Sequence, residues 1–570
     1  MNFDALYQRW LQESLENAEI HEELVSIAGD NAAIEDRFYR ELEFGTGGLR
    51  GVLGAGSNRM NVYTVGKATQ GCSNYLLKTF QKPSVAIGYD SRIHSDLFAE
   101  TAAAIYAANG IQVYLYRQLM PTPALSFAVR DLHCQGGVVV TASHNPARYN
   151  GYKVYGSDGC QITTEAAKAI QQEIDGVDPF TDVKKGDFQA LLRAGSIIYI
   201  GKDTERRYLD AIATTSVLPA GISKEVSIVY TPLNGAGISC VPDCLREHGF
   251  TNITIPDEQR NPDGNFPTCP YPNPEIREAL EVGLAWAEKT GSDLLLATDP
   301  DCDRVGVAVK GEQGYTLITG NEMGVLLLDF ICKMRLASGT MPQNPVAVKT
   351  IVTTPMAKKV AETYGVELRD VLTGFKFIGE QIGILEREGH PERYIFGFEE
   401  SYGYLSGSFV RDKDAVNASL LICEMFTYYK HEGKSLLDVL AALYARYGFY
   451  QSRLLSFTFE GSSGFAKMQS LMNEMRDKQP REIAGYAVEA VGDYQASTIT
   501  KVNGEQEHVD LPKSNVLRFF LHGGLEAVIR PSGTEPKLKV YVTAIGETLE
   551  KSRQSAEEIS AFFTAWATGA

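Results

Sequence analysis

SVAIGYDSR, residues 84–92, is an apolar, β-rich run that ends in a polar loop. SDLFAETAAAIYAANG (95–110) follows it as a helix-like stretch that stops at Gly110. A glycine there supplies the left-handed turn on which many helices close. The same order of parts returns twice. VSIVYTPLNGAG (226–237) leads into ISCVPDCLREHG (238–249), and VAVKTIVTT (346–354) leads into PMAKKVAETYG (355–365). Strand, loop and helix restarting every roughly 120–140 residues predict three α/β units of one kind.

The C-terminal part has a different rhythm. RLLSFTFEG (453–461), NVLRFFLHGG (515–524), LEAVIRPSG (525–533) and KLKVYVTAIG (537–546) read as alternating strands, covered by a helix over ETLEKSRQSAEEISAFFTAWA (547–567). That pattern predicts an antiparallel α+β domain. Boundaries are expected in KKGDFQALLRAG (184–195), in the GEQGY turn (311–315) and near RYGFYQS (446–452). The expected division is 1–205, with an N-terminal helical extension, then 206–314, 315–448 and 449–570.

At 570 residues the chain is too long for one core, and a domain count of about three to five is expected. Its formal charge of −17 argues against nucleic acid or an anionic membrane as partner, so anionic substrates would need local basic pockets. The N-terminus, MNFDALYQRWLQESLENAEIHEEL, lacks the basic and apolar regions of a signal peptide, and GVLLLDFIC (324–332) is too short to span a bilayer. Nine cysteines, among them Cys160, Cys240, Cys332 and Cys423, lie mostly in apolar runs, and Cys240 and Cys244 form a CxxxC without a second pair. Buried free thiols in a reducing cytosol are expected rather than zinc or disulfides.

Three stretches carry chemistry. TASHNPARYNGYK (141–153) follows the apolar run GGVVV (136–140), so Ser143 falls in a loop at the carboxyl end of a strand, where α/β sheets place their ligands. A serine before Asn-Pro also makes an ordinary turn. The small flanking residues Ala142 and Ala147, with His144 and Lys153, favour a reactive serine instead. In LLLATDPDCDRVGVAV (294–309), Asp299, Asp301 and Asp303 alternate between two β-runs and can converge on one hard cation. An EF-hand is excluded, because Arg304 and Lys310 stand where its glycine and glutamate belong. In AVIRPSGTEPKLKVY (527–541), Arg530, Ser532, Gly533, Thr534 and Lys537 surround a turn suited to an anion. Weaker signals are FGTGGLRG (44–51) with Arg50, TGFKFIGE (373–380) with Lys376, and FGFEESYGYLSG (396–407), where Glu399, Glu400 and Ser401 suit sugar hydroxyls.

TASHNP with NGYK downstream, DPDCDR, GFEES and RPSGTEPK, in that order, resemble the α-D-phosphohexomutase superfamily. The match is to its phosphoglucomutase/phosphomannomutase group with an N-terminal helical extension and a GTGGLRG start. The resemblance implies three similar α/β/α domains with mixed sheets plus a smaller C-terminal α+β domain, around a central cleft. It implies that Ser143 is the phosphorylated serine, and that Asp299, Asp301, Asp303 and the Ser143 phosphate hold Mg²⁺. His144 and Lys153 fall near the proton-transfer position, and Arg304 completes the implied catalytic set. Arg50, Thr373, Gly374, Lys376, Glu399, Ser401 and Lys413 are the implied substrate contacts, with Arg530, Ser532, Gly533, Thr534 and Lys537 clamping the distal phosphate.

The implied reaction interconverts glucose 1-phosphate and glucose 6-phosphate in the cytoplasm, through phosphoserine and glucose 1,6-bisphosphate. Phosphomannomutase, phosphopentomutase and glucose 1,6-bisphosphate synthase are the alternatives within the family. A metal-dependent phosphatase, which usually needs two metals and an open water site, and a non-catalytic sugar-phosphate binder are the rivals outside it.

Overall fold

GGVVV folds as the strand Gly136–Val140 with every residue buried, since helices cover both faces of its sheet. The computed structural model describes residues 3–45, 47–459, 461–532 and 537–569. The first sheet runs in the order 48–52, 149–156, 136–140, 84–89, 112–116, 197–200. Its last four strands are parallel, while 149–156 and 48–52 join antiparallel at one edge.

The second and third sheets repeat that plan. In the second, Leu294–Thr298 lies parallel to Ile228–Thr231 and antiparallel to Val305–Gly311. In the third, Tyr394–Glu399 lies parallel to Val346–Thr350 and antiparallel to Gly403–Leu405. The Ser143 loop, the DPDCDR loop and the GFEES turn therefore occupy one equivalent place. Each joins the last parallel strand to the antiparallel edge. The helix-closing glycines also behave alike: Gly110, Gly249 and Gly365 have φ of 81°, 86° and 66°.

Two of the segments expected to hold boundaries carry secondary structure. Residues 184–195 are no linker, because Phe188–Arg193 is helical and feeds Ile197–Ile200, the sixth strand of the first sheet. The division at 314/315 would cut a hairpin. Gly314–Ile318 pairs antiparallel with Val307–Gly311 and belongs to the second sheet. At the N-terminus the helices Phe3–Glu13, Ala18–Ser26 and Asn31–Phe38 pack Trp10 and Phe38 against Tyr63 and Phe180.

One apolar cluster runs through all three α/β sheets, from Phe127 and Tyr208 through Cys302 to Val410 and Leu421. The fourth domain has its own, built on Met472, Phe519, Ile529 and Phe563. Its eight-stranded sheet is antiparallel, and the helix Leu549–Thr568 packs on the long pair Phe449–Thr458 and Lys537–Gly546. The helix Gly461–Lys478 and the strands Tyr486–Asp493, Thr498–Lys501 and Gln506–His508 add to what the sequence pattern predicts. All nine cysteines are buried and unbridged. Among the described residues no helix is long and apolar enough to cross a membrane.

Candidate active site

Ser143 sits on strained backbone, with φ of 50°, and is 3% exposed. Its N–H donates to Thr141 Oγ1 (2.8 Å), and that hydroxyl donates to Asp90 Oδ2 (2.6 Å). Arg92 holds the rest of the loop. Its guanidinium donates to the carbonyls of Ser143 and Asn145, and at 3.0 Å to those of Pro146 and Tyr149. Asp90 lies 3.5 Å from Arg92 Nε in an ion pair with no side-chain exposure. The DSR that follows the strand Ser84–Tyr89 reads in the sequence only as a polar loop. Its function of gripping four carbonyls more than fifty residues away leaves no local trace.

The Ser143 hydroxyl reaches Asp299 Oδ2 at 3.0 Å and His144 Nδ1 at 3.2 Å. Burial, and then the charges of Arg304 and Arg50, hold the imidazole well below its usual range. His144 is therefore held as a neutral ring beside the serine.

The aspartates converge as their spacing predicts, because Cys302 turns the backbone at φ of 54°. All three are buried, with carboxylate oxygens within 4.8 Å of one another. Asp299 is largely satisfied, since Oδ1 accepts the N–H groups of Asp303 (3.1 Å) and Arg304 (3.0 Å) while Oδ2 accepts Ser143. Asp301 Oδ1 and both oxygens of Asp303 are buried without a hydrogen-bond partner among the described residues. Buried carboxylate oxygens that accept no hydrogen bond, at this spacing, suit a hard divalent cation. The site is a fit for a metal ion.

Three cations balance the cluster from different domains. Lys153 Nζ lies 2.8 Å from Asp301 Oδ2 and 3.5 Å from Asp303 Oδ2. Lys413 Nζ, from the third domain, lies 3.1 Å from Asp303 Oδ2. Arg304 Nε is 3.7 Å from Asp303 Oδ1, and its guanidinium donates to Glu275, a residue the sequence pattern does not single out. Burial opposes ionisation of Asp301, but Lys153 overrides it and holds the acid far below its usual range. Burial, and then Asp301 and Asp303, push Asp299 the other way. Thr122 opens a first-domain helix and fixes Asp301 twice, donating N–H to its carbonyl (2.8 Å) and Oγ1–H to Oδ2 (3.0 Å).

Strand alternation separates the paired glutamates of GFEES. Glu399 faces the cluster, with Oε1 3.8 Å from Lys413 Nζ. Glu400 points elsewhere than Lys413 and accepts from Thr350 Oγ1 (3.2 Å) and Thr353 Oγ1 (3.1 Å). Ser401 is half-buried in the following turn. Gly374, at φ of 120°, opens the helix Phe375–Arg387, and the Phe375 ring lies 5.7 Å from Lys413 Nζ. Thr373 Oγ1 is buried without a hydrogen-bond partner among the described residues, and Lys376 Nζ lies 5.1 Å from the Phe377 ring. Arg50 reaches the Ser143 loop at Asn145 Oδ1, 3.5 Å away.

From the fourth domain, Arg530 stands directly opposite Lys539 on a paired hairpin. The Ser532 N–H donates to the Lys537 carbonyl (2.7 Å) at the base of the turn, and Gly533 and Thr534 lie outside the described residues. Lys539, quoted but not singled out in the sequence, is among the charges felt by His144. Tyr541, on the same hairpin face, is flanked by the charges of Glu400, Arg530 and Glu275. The fourth-domain hairpin thus places the charge of Lys539 within range of His144.

The descriptions of domains I, II and III of the phosphoglucomutase/phosphomannomutase α/β/α family match residues 41–179, 206–314 and 319–447. A phosphoglucomutase of Staphylococcus saprophyticus is 35% identical over 549 residues, covering 95% of this chain and 98% of that one. A phosphoglucomutase of Staphylococcus aureus strain MRSA252 is 38% identical over 516 residues, covering 90% and 91%. The fold is shared with a phosphoglucomutase/phosphomannomutase family protein from Burkholderia thailandensis, at TM-score 0.66 and 17% identity over 92% of this chain and 97% of that one. It is also shared with parafusin, a phosphoglucomutase of Paramecium in its open form, at TM-score 0.65 and 19% identity over 93% and 97%. The three matched domains and the near full-length relatives lead to one conclusion: the chain belongs to the phosphoglucomutase/phosphomannomutase family.

Proposed function

We propose that this chain is a phosphoglucomutase that interconverts α-D-glucose 1-phosphate and glucose 6-phosphate through a phosphoserine at Ser143. The observation that carries the reading is a strained, buried serine hydroxyl 3.0 Å from Asp299, in a carboxylate trio with three buried oxygens that accept no hydrogen bond among the described residues. Phosphorylated Ser143 hands its phosphoryl group to the free hydroxyl of the bound sugar phosphate, leaving glucose 1,6-bisphosphate in the cleft. The bisphosphate turns around, and Ser143 takes back the other phosphate. As each phosphoryl group moves, the accepting sugar hydroxyl gives up its proton and the Ser143 oxygen takes one up, with the reverse on the return; His144, whose Nδ1 lies 3.2 Å from Oγ, and Lys153 are assigned to that proton transfer.

Asp299, Asp301, Asp303 and the Ser143 phosphate would hold Mg²⁺, whose chemistry there is to neutralise charge on the transferring group. Lys153, Lys413 and Arg304 fix the carboxylates and present positive charge to the same region. Glu399 and Ser401 are assigned to the sugar hydroxyls, with Arg50, Thr373, Gly374 and Lys376 as further substrate contacts. Arg530, Ser532, Gly533, Thr534 and Lys537 are assigned to the distal phosphate.

The working division of the chain is 1–205, 206–318, 319–448 and 449–570, which keeps the 305–318 hairpin whole. Glucose is favoured because the Staphylococcus relatives carry that name. The test is to supply glucose, mannose and ribose 1-phosphates and compare kcat/KM for the 6- or 5-phosphate products against release of inorganic phosphate. Highest kcat/KM on glucose 1-phosphate with little free phosphate supports the reading. Stoichiometric free phosphate would make the protein a phosphatase.

A further inference from the structure

The segment Arg411–Ala415 touches every part of the three-domain core. Arg411 N–H donates to Ser126 Oγ of the first domain at 2.9 Å. Asp412 Oδ2 accepts the hydroxyl of first-domain Tyr155 at 2.7 Å, with both residues buried. Lys413 Nζ meets second-domain Asp303 at 3.1 Å. Asp414 accepts Tyr208 OH at 2.9 Å on both oxygens and caps the helix Ala415–His431 through Val416 and Asn417. Ala415 N–H donates to the Cys302 carbonyl, between two of the aspartates, at 3.3 Å.

Within this knot, one chain of contacts leads to the reacting centre. Tyr155 is two residues from Lys153 on the strand Tyr149–Gly156, so both side chains leave the same face of the sheet. Lys153 goes to Asp301, and Tyr155 goes to Asp412. Asp412 Oδ1 accepts the Lys413 N–H at 2.8 Å and lies 3.4 Å from its Nζ. The ammonium is thereby drawn between three carboxylates: Asp412 behind it, Asp303 at 3.1 Å and Glu399 at 3.8 Å. A lysine side chain is a flexible four-carbon stem with a point charge at its tip. Without a fixed carboxylate behind it, that tip would sample several acceptors around the cluster.

We infer that Tyr155 and Asp412 are positioning residues, which hold the Lys413 ammonium at the junction of Asp303 and Glu399 and do so only while the first and third domains are docked. The inference rests on the reading of Ser143 and the aspartates as a phosphoryl-transfer centre. Tyr155 touches neither the aspartate trio nor Glu399 through any hydrogen bond among the described residues, and the hydrogen bond of its hydroxyl leads through Asp412 to Lys413.

The test is a double-mutant cycle on the full chain: Tyr155→Phe, Asp412→Asn and Lys413→Met alone, then each of the first two with Lys413→Met. Initial rates give kcat and KM, intact mass gives phosphate on Ser143, and thermal unfolding reports the fold. Tyr155→Phe and Asp412→Asn should each lower kcat by about tenfold or more, as expected for losing a hydrogen bond to a charged group, with KM within about threefold. In the Lys413→Met background either change should cost less than about twofold, because the group it positions is gone. A purely structural role gives the opposite pattern: losses that multiply with Lys413→Met and that track the fall in unfolding temperature. That pattern overturns the inference, as does wild-type kcat in both single variants. If Tyr155→Phe fails to fold, the Asp412→Asn arm decides alone, since asparagine can still accept the tyrosine hydroxyl. Absence of phosphate on wild-type Ser143 would overturn the underlying reading as well, and intact mass separates that outcome from a failure of positioning.

Discussion

Replacing Arg92 by lysine keeps a buried positive charge beside Asp90 but cannot keep the grip on the Ser143 loop. The guanidinium serves the carbonyls of Ser143, Asn145, Pro146 and Tyr149 while also facing Asp90. Lysine has three donors on one atom, and one of them must face Asp90, so at least two carbonyls lose their partner. At about 1.5–3 kcal/mol for each hydrogen bond from a charged donor, the loop loses on the order of 3 kcal/mol or more of restraint. If that restraint keeps Ser143 aimed at Asp299, loss of about 3 kcal/mol at the reacting geometry lowers kcat by roughly a hundredfold. Single-turnover transfer from phosphorylated enzyme to glucose 1-phosphate measures the effect. Amide exchange should show faster opening of residues 143–149, with little change in the fourth domain. A variant that transfers phosphate within about threefold of wild type would refute the claim that Arg92 holds the serine in place.

Asp301→Asn removes a ligand bearing an orphaned oxygen and also weakens the Lys153 pair, so Mg²⁺ affinity by calorimetry should fall by about tenfold or more. Chelation should abolish wild-type activity and added Mg²⁺ restore it, and full activity of either protein in chelator would count against a metal. Glu400 has its acid pushed up to about 7 by burial and then by Glu399. A carboxyl raised in the folded state binds protons that the unfolded chain has already released, so its contribution to stability is complete below the ordinary value of 4.5 and lost as pH rises to about 7. Glu400→Gln should therefore match wild type near about pH 4.5 and be more stable near about pH 8, by at most about 3 kcal/mol. Equal stability at the higher pH would remove the cause assigned to the shift. Arg530→Ala should raise KM for every phosphosugar by about tenfold and increase phosphate lost to water, while leaving Ser143 able to carry phosphate. Unchanged KM would mean the 530–537 turn is not the clamp.

The three α/β units are legible in the sequence because their signals are local. A buried strand, a polar loop and a helix ending at Gly110, Gly249 or Gly365 can each be read within about thirty residues. The aspartate hairpin is legible for the same reason. The second-domain edge strand is misplaced because Glu312-Gln313-Gly314 has the composition of either a linker or a hairpin turn, and pairing with Val307–Gly311 decides between them. In the fourth domain, Thr498–Lys501 and Gln506–His508 are short, polar strands, the first half-buried and the second an exposed edge, without apolar alternation, so they resemble loop. Asp90, Arg92, Thr122, Tyr155 and Asp412 are missed at the site for a different reason. Their partners lie tens to hundreds of residues away, as with Tyr155 and Asp412 at a separation of 257, and such pairs leave no periodicity to read.

The central claim is that the Ser143 hydroxyl, and no other group, carries the phosphoryl group between sugar positions. The most direct measurement treats the protein with glucose 1,6-bisphosphate, quenches it, and maps phosphate by intact mass and peptide sequencing. It then repeats the quench after a chase with glucose 1-phosphate. Wild type should carry one phosphate, on Ser143 within TASHNPARYNGYK, and lose it to glucose 6-phosphate on the chase. Ser143→Ala should carry none and lose about three or more orders of magnitude in kcat. Phosphate on a different residue, or phosphate on Ser143 that does not chase into sugar, would contradict the account.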